Sequence, residues 1–448
     1  MKKVLIFSVV LSVSLSVFSP LTAFASYNDD IGDIESDIVY VVCMDNNEVM
    51  IDKNFDKVTA PASLTKIMTA LVALENCKDL SKVVTVSQNA IDILSGTNSS
   101  VVGLIPGEQM SMENLLYCLM VDSANDAATV IAEAVGGTID KFVEMMNKKA
   151  DRLGLKNTHY KNPHGLDEEG HYTTAQDLYK LTTEALKNSV FKKICNTAEY
   201  DLPRTNMSEE RYLSSTNLML FPSYEAYYLP YISGVKTGTT DAAGRCIITK
   251  ATNNGYSYLA IVMGGKTAEI SGEEVNGAFV DCKKVLEWLY DNIQYKTVVQ
   301  RDQTLSVSPV KYSWKHDFVR LVPVDEKYEL APKSLDTSSV YVELSSSISG
   351  ELKAPLSKGE VIGTATVYYG GNPISTVDVT VAEDVHYSFI LHIASLIGTA
   401  WKSVVGKILF ILLFIIIIGL IVLRRLAKKR IIDVEKKKYD RKVKKHLK

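Results

Sequence analysis

Sixteen consecutive residues, Ile408–Leu423, are apolar or glycine, and this run limits what the chain can become. Carried back to Val404 it reaches twenty residues with only Lys407 charged, close enough to one end for its amine to snorkel to a polar interface. Roughly 20 helical residues cross the ~30 Å hydrocarbon core of a bilayer. A core helix of a soluble domain fits less well, because Arg424, Arg425, Lys428, Lys429 and Arg430 follow at once, as on the cytoplasmic flank of a span. No Leu-Pro-x-Thr-Gly sorting signal precedes the run, so it reads as a permanent transmembrane anchor over 404–423.

The other end carries a second address. Met1-Lys2-Lys3, the apolar stretch Val4–Phe18 and the small-residue site Ala23-Phe24-Ala25 read as a secretory signal over 1–25, with a mature chain from Ser26. The expected topology is single-pass in the cell membrane, with an extracellular body and a cytoplasmic tail over 424–448. That tail holds thirteen Lys/Arg against three acids and suits anionic lipid headgroups of the cytoplasmic membrane. With +10 in the tail, +2 in the first 25 residues and −3 overall, the remainder carries −15. An acidic body argues against nucleic acid as a partner. The six cysteines all fall in the exported part, without metal-like or CxxC spacing, and read as buried thiols.

Between the addresses the pattern is α+β. Val39–Met44 and Glu48–Asp52 read as a strand pair. Ala62–Leu74, Met112–Met120, Ala124–Val135, Ile139–Leu153 and Ala175–Lys187 read as helices. Tyr231–Thr237, Arg245–Thr252 and Tyr256–Gly264 read as strands, and Glu273–Asn292 as a closing amphipathic helix. Strands at both ends with helices between predict one sheet built from distant segments, over a domain of 26–292. Residues 293–385 read as a small all-β domain, because Val340–Leu344, Val361–Tyr369 and Ser375–Val381 alternate and Gly370-Gly371-Asn372 signals a hairpin. Ile390–Trp401 reads as a short helix within a stalk over 386–403.

Three segments of the first domain carry chemistry. Pro61-Ala62-Ser63-Leu64-Thr65-Lys66 sets a serine at a helix start with a lysine three residues on, so both side chains share a face. The serine needs a base, and lysine serves only if burial or a nearby cation lowers its pKa. Ser189/Lys192 and Ser308/Lys311 match the same spacing; Ser63 differs in opening a helix that carries Ile67, Met68, Leu71 and Val72. Ser123-Ala124-Asn125, between two apolar helices, offers a hydroxyl for proton relay and an amide for a substrate carbonyl or a lysine. Alone it reads as an ordinary helix N-cap. Gly234-Val235-Lys236-Thr237-Gly238-Thr239-Thr240 puts a cation and hydroxyls beside a glycine that lets a ligand backbone approach, on a strand able to bind a carboxylate.

In this order and in one domain, Ser-x-x-Lys at 63, Ser-x-Asn at 123 and Lys-Thr-Gly at 236 resemble the active-site-serine penicillin-recognising enzymes. The chain resembles in particular the D-alanyl-D-alanine carboxypeptidases, the low-molecular-mass penicillin-binding proteins, over about residues 27–385. Asn162-Pro163-His164-Gly165-Leu166-Asp167 and Gly170-His171-Tyr172-Thr173-Thr174-Ala175 are also close to the family's wording. Ala124 departs from the usual glycine, and the spanning anchor departs from relatives that use a surface-lying helix.

The resemblance implies a penicillin-binding-protein/β-lactamase-like fold with an antiparallel sheet and helices. It implies a peptidoglycan stem peptide ending in D-Ala-D-Ala as substrate, and β-lactams as acylating mimics. Ser63 becomes the nucleophile, Lys66 its base and Ser123 a proton relay. Asn125, Lys236, Thr237, Gly238 and Thr239 hold substrate. Neither cofactor nor metal is called for, and His164 and His171 read as structural. A wall-cross-linking D,D-transpeptidase and a class A-like β-lactamase share the motifs. The β-lactamase needs a glutamate-bearing loop with no convincing equivalent here. A non-catalytic wall-binding scaffold or β-lactam sensor would not need all three motifs intact.

Overall fold

The computed structural model describes Tyr27 and residues 31–270 and 273–446. The signal-peptide reading over 1–25 and the last two tail residues lie outside these. The chain divides into two compact units, one running to Tyr295 and including Leu330–Leu335, the other formed by Lys296–Glu329 and the chain from Asp336 onward.

The first unit opens with β1 (Ile38–Cys43) and β2 (Val49–Lys53), followed by α1 (Lys66–Asn76). Next come β3 (Val83–Thr85), α2 (Gln88–Asp92), β4 (Gln109–Ser111), α3 (Met112–Met120), α4 (Asn125–Gly136) and α5 (Ile139–Arg152). Then follow α6 (Ala175–Ala185), α7 (Ser189–Cys195), β5 (Glu199–Leu202) and β6 (Arg211–Ser214). The unit closes with β7 (Ile232–Thr240), β8 (Gly244–Asn253), β9 (Tyr256–Gly265), β10 (Thr267–Ile270), β11 (Glu273–Asn276) and α8 (Gly277–Asn292). Five strands pair in the order β2-β1-β9-β8-β7, each neighbour antiparallel. The first strands thus meet the last ones, as expected of a sheet made from distant segments.

Both faces of this sheet are covered, which explains why β1 reads Ile-Val-Tyr-Val-Val-Cys without a polar alternate. Ile38, Tyr40 and Val42 join Leu259, Ile261 and Met263 in the core beneath the helices α1 and α3–α7. Val39, Val41 and Cys43 join Tyr258, Ala260 and Val262 against α8. Five of the six cysteines are buried free thiols, and Cys77 is half-buried. Side chains cap the helices where the sequence offers them: Ser111 accepts from Asn114 N–H, Thr138 from Lys141 N–H and Thr174 from Asp177 N–H.

Two sequence expectations need correction. The closing helix does not begin at Glu273: Glu273–Asn276 pairs with Thr267–Ile270 as a short hairpin. Asn276 then caps α8 by accepting from Ala278 N–H. The helix expected from Ala62 begins instead with a 3-10 turn, Ala62–Thr65, and becomes α-helical only at Lys66.

In the second unit, β13 (Ser306–Lys311), β14 (Phe318–Pro323), β16 (Tyr341–Leu344), β17 (Leu352–Lys353), β18 (Gly363–Tyr369) and β19 (Asn372–Val381) form one sheet, ordered β16-β18-β19-β14-β13-β17. β12 (Ile293–Val299) and β15 (Lys327–Pro332) are the strands in which the chain passes between the units. Here burial alternates: Val319 and Leu321, Ala365 and Val367, Val377 and Val379 point inward. α9 (Phe389–Lys402) and α10 (Val404–His446) follow. Among the described residues, α10 is the one helix long and apolar enough to cross a bilayer.

Candidate active site

The 3-10 turn before α1 leaves Ser63 partly open while the helix carries Lys66 into the core, completely buried. Lys66 Nζ lies 2.7 Å from Ser63 Oγ, 2.6 Å from Asn125 Oδ1 and 2.8 Å from the His164 carbonyl oxygen. Burial holds the amine well below its ordinary pKa, and the charge of Lys236 adds to the effect, with Asp126 opposing it. A neutral amine has two N–H donors and one lone pair. The two obligate acceptors, Asn125 Oδ1 and His164 O, take the donors, so the lone pair is left for the Ser63 hydroxyl. Among the described residues no carboxylate hydrogen-bonds either group.

α4 supplies the next layer. Its N-cap residue, Ala124, has only a methyl side chain and makes no cap. Asn125 is spent on Lys66, and Ser123, at φ +62°, lines the cleft in front of Ser63. Asp126 accepts from Leu104 N–H at 2.9 Å and Val102 N–H at 3.3 Å, fixing the segment that presents Ser100. Ser100 in turn accepts Asn125 N–H through its carbonyl. Burial raises the Asp122 carboxyl to about 6; Asp126 adds to the rise and Lys236 opposes it.

The third wall is β7. Lys236 is buried behind it, donates to the Thr237 carbonyl at 3.0 Å and is pushed down to about 7 by burial, with Asp122 opposing. Thr237 Oγ1 meets Thr216 Oγ1 at 2.5 Å. Gly238 allows the strand to approach the serine, because a Cβ there would sit 2.9 Å from Ser63 N. Ser63, Ser123, Thr237, Gly238 and Thr239 line one cleft of about 530 Å³, while Lys66, Asn125 and Lys236 stand behind its walls.

The cleft also holds residues that sequence reasoning missed. Arg245 lies directly across the β7–β8 pair from Thr239 and is the cation among the lining residues. A hairpin register counted back from the Asp241-Ala242-Ala243 turn would have placed it there. Thr216 had no motif to mark it. Of the other SxxK matches, Ser189 opens α7 and Ser308 lies in β13; neither lines this cleft.

Below the serine turn sits the 162–171 loop. Asn162 Oδ1 accepts Gly165 N–H at 2.7 Å and Thr69 donates to the Pro163 carbonyl. Gly165, at φ +95°, packs so closely that a Cβ would fall 1.9 Å from the Ala62 carbonyl oxygen. His171 Nδ1 accepts from Lys161 N–H, so its Nε2–H donates to Thr65 at 2.9 Å. His164 Nδ1 accepts from Leu166 N–H. Burial pushes the pKa of His164 down to about 3, with Lys66 and His171 adding to the drop, and that of His171 to about 4, with His159 adding and Asp167 opposing. Both are neutral parts of the scaffold, and neither hydrogen-bonds Ser63.

A family model for D-alanyl-D-alanine carboxypeptidase matches residues 23–267, and one for the C-terminal domain of penicillin-binding protein 5 matches 294–387. The chain is 31% identical to D-alanyl-D-alanine carboxypeptidase DacF of Bacillus subtilis over 85% of its own length and 94% of that protein. It is similar to the structure of penicillin-binding protein 5 from Haemophilus influenzae, with 28% identity and a TM-score of 0.57 over 79% of this chain and 98% of that one. It is also similar to the Streptomyces K15 DD-transpeptidase, with 28% identity and a TM-score of 0.51 over 57% of this chain and 97% of that one. With the buried lysine beside Ser63 and these matches across both units, the chain belongs to the serine-type D-alanyl-D-alanine carboxypeptidase family of penicillin-binding proteins.

Proposed function

We propose that this chain removes the terminal D-alanine from peptidoglycan stem peptides through an acyl-enzyme on Ser63, and that β-lactams acylate the same hydroxyl. The observation that carries the reading is the proton-poor amine of Lys66 held 2.7 Å from Ser63 Oγ. Ser63 attacks the carbonyl between the two D-alanines as Lys66 takes its proton. The N–H groups of Ser63 and Thr239 receive the developing oxyanion, a device worth about 3–4 kcal/mol per donor in other acyl-transfer enzymes. The proton taken by Lys66 is returned by way of the Ser123 hydroxyl to the departing amine, and water then hydrolyses the ester, restoring the Ser63 hydroxyl. The terminal carboxylate docks against Thr237 and Thr239, drawn by Lys236 from behind the strand and by Arg245 from the adjacent one. Asn125 fixes the Lys66 amine with its oxygen and turns its amide N–H groups toward the substrate.

α10 serves as a single-pass anchor, with the catalytic unit extracellular and the basic end meeting lipid headgroups in the cytoplasm. The signal peptide and the basic flank after Leu423 support that topology.

The test is release of free D-Ala from a pentapeptide, with and without an amine acceptor, by wild type and by Ser63→Ala. Wild type should release D-Ala and be labelled by a fluorescent penicillin, and the variant should do neither. Labelling that survives the substitution rejects the assignment. An acceptor that is incorporated in preference to water would instead mark the chain as a transpeptidase, the activity named for the K15 relative.

A further inference from the structure

α9 is apolar on one face. Phe389, Ile390, Ile393, Leu396, Ile397 and Trp401 recur at helical spacing and are all exposed, while His392, Ser395, Thr399 and Lys402 occupy the other side. Only Ser403 separates this helix from α10, and Trp401 packs against Phe410 of α10 at 5.2 Å between ring centroids. Fourteen residues of helix are about 21 Å long. Whatever is fixed to the start of α9 therefore lies within that distance of the point where the chain enters the bilayer. An upright α9 would leave its whole apolar face in water. Laid flat at the headgroup–acyl boundary, it buries that face.

The start of α9 is fixed to the second unit at one place. The Tyr312 ring stacks on His392 at 4.3 Å, Ser388 N–H donates to the Tyr312 carbonyl at 2.6 Å, and the Tyr387 hydroxyl meets His392 Nδ1 at 2.5 Å. The loop that begins at Tyr312 presents Trp314, 69% exposed, and leads to Phe318, 61% exposed at the start of β14. Two large aromatic side chains in water on one short loop have no packing reason within the unit. With α9 flat, the loop starts on the water-facing side of the helix, within one helix diameter (~10 Å) of the acyl chains. That leaves Trp314 and Phe318 within reach of the headgroup region, where an amphipathic tryptophan is at home.

We infer that the 312–318 loop of the second unit is a lipid-contacting surface, with Trp314 and Phe318 seated in the interface of the leaflet that α10 enters. The second unit then rests on the membrane through α9 and this loop together, and 386–403 is a platform in place of a free stalk. The inference goes beyond the catalytic reading and rests on α10 being the span.

The test uses the full chain in lipid vesicles. Trp288→Phe with Trp401→Phe leaves Trp314 as the sole tryptophan, and Trp288→Phe with Trp314→Phe leaves Trp401. Labelling by a fluorescent penicillin checks that each protein is folded. In vesicles of lipids brominated near the headgroup end of the acyl chains, Trp314 emission should be lost to about the same extent as that of Trp401. Emission from Trp314 that stays red-shifted and unquenched while Trp401 is quenched overturns the inference. If neither is quenched, α9 does not lie in the interface and the inference falls with it, while D-Ala release would still stand.

Discussion

The two large sheets of this molecule solve different problems. In the catalytic unit both faces are buried, and the groups set into that interior include Lys66, Lys236, Asp126, His164 and His171. In the six-stranded sheet of the second unit burial mostly alternates, and the inner face is largely Val, Leu, Ile and Ala. Among the described residues of that unit Glu329, 3.3 Å from Lys327, is the one buried ionisable side chain. Burying an amine costs several kcal/mol unless it is paired or gives up its proton. The first unit carries that cost twice within one site, and the return is an amine able to take a proton from a serine. The second unit buries little that titrates, as expected of a part that positions and does not react.

The largest effect should come from removing that amine. Lys66→Met keeps the volume but leaves Ser63 without a base and Asn125 Oδ1 and His164 O without a donor. The rate of penicillin acylation should fall by about 10²–10⁴, the usual worth of general-base assistance. Glu329→Gln, the matching change in the second unit, should leave that rate as it was. Equal losses from both would break the contrast between the units.

Glycine substitutions sharpen it at the next level. Alanine at 165 must occupy a positive-φ position and place its Cβ 1.9 Å from the Ala62 carbonyl oxygen, so the loop under Ser63 has to move. A loss of about 2–4 kcal/mol is expected, read as an earlier thermal transition, together with slower acylation. Alanine at 370, in the β18–β19 turn at φ +57°, meets nothing within 4 Å and should cost only the ~1 kcal/mol of a left-handed alanine, with acylation unchanged.

The strands of the five-stranded sheet and the helices α3 to α5 were legible in the sequence because long periodic or continuously apolar segments survive packing unchanged. The three motifs were legible because their chemistry depends on residue type in order. What escaped was set by neighbours distant in sequence. Glu273–Asn276 looks helical by its apolar spacing, yet it pairs with Thr267–Ile270, and only Asn276 marks where the helix starts. Ala62–Thr65 forms a 3-10 turn at a place where β7 and the Gly165 loop approach it closely, contacts that no local pattern shows. Arg245 and Thr216 reach the cleft only through the β7–β8 register and the Thr237 contact. β13 and β14 carry proline and charge, and β17 is two residues long and pairs with β13 from far along the chain, so no local pattern announced them.

The smallest expected effect is also the most specific, and it concerns Asp122. Lys236 must be charged to draw a carboxylate, and burial leaves its pKa at about 7, held there against a further drop by Asp122. kcat/KM should therefore fall as pH rises through about 7, where the free enzyme's Lys236 gives up its proton. Asp122→Asn removes the opposing charge, so Lys236 loses its proton more readily and the alkaline limb should move to lower pH. The two side chains share no hydrogen bond, so the displacement should be less than about one unit. Asp122 itself titrates at about 6, which adds a second signature. Below that pH the native carboxyl is already neutral, and the two proteins should converge. Above it they should separate. An alkaline limb that does not move, or a difference that persists unchanged at pH 5, would mean that the buried charges of the catalytic unit do not communicate, and that its interior is no more electrostatically organised than that of the β-sheet unit.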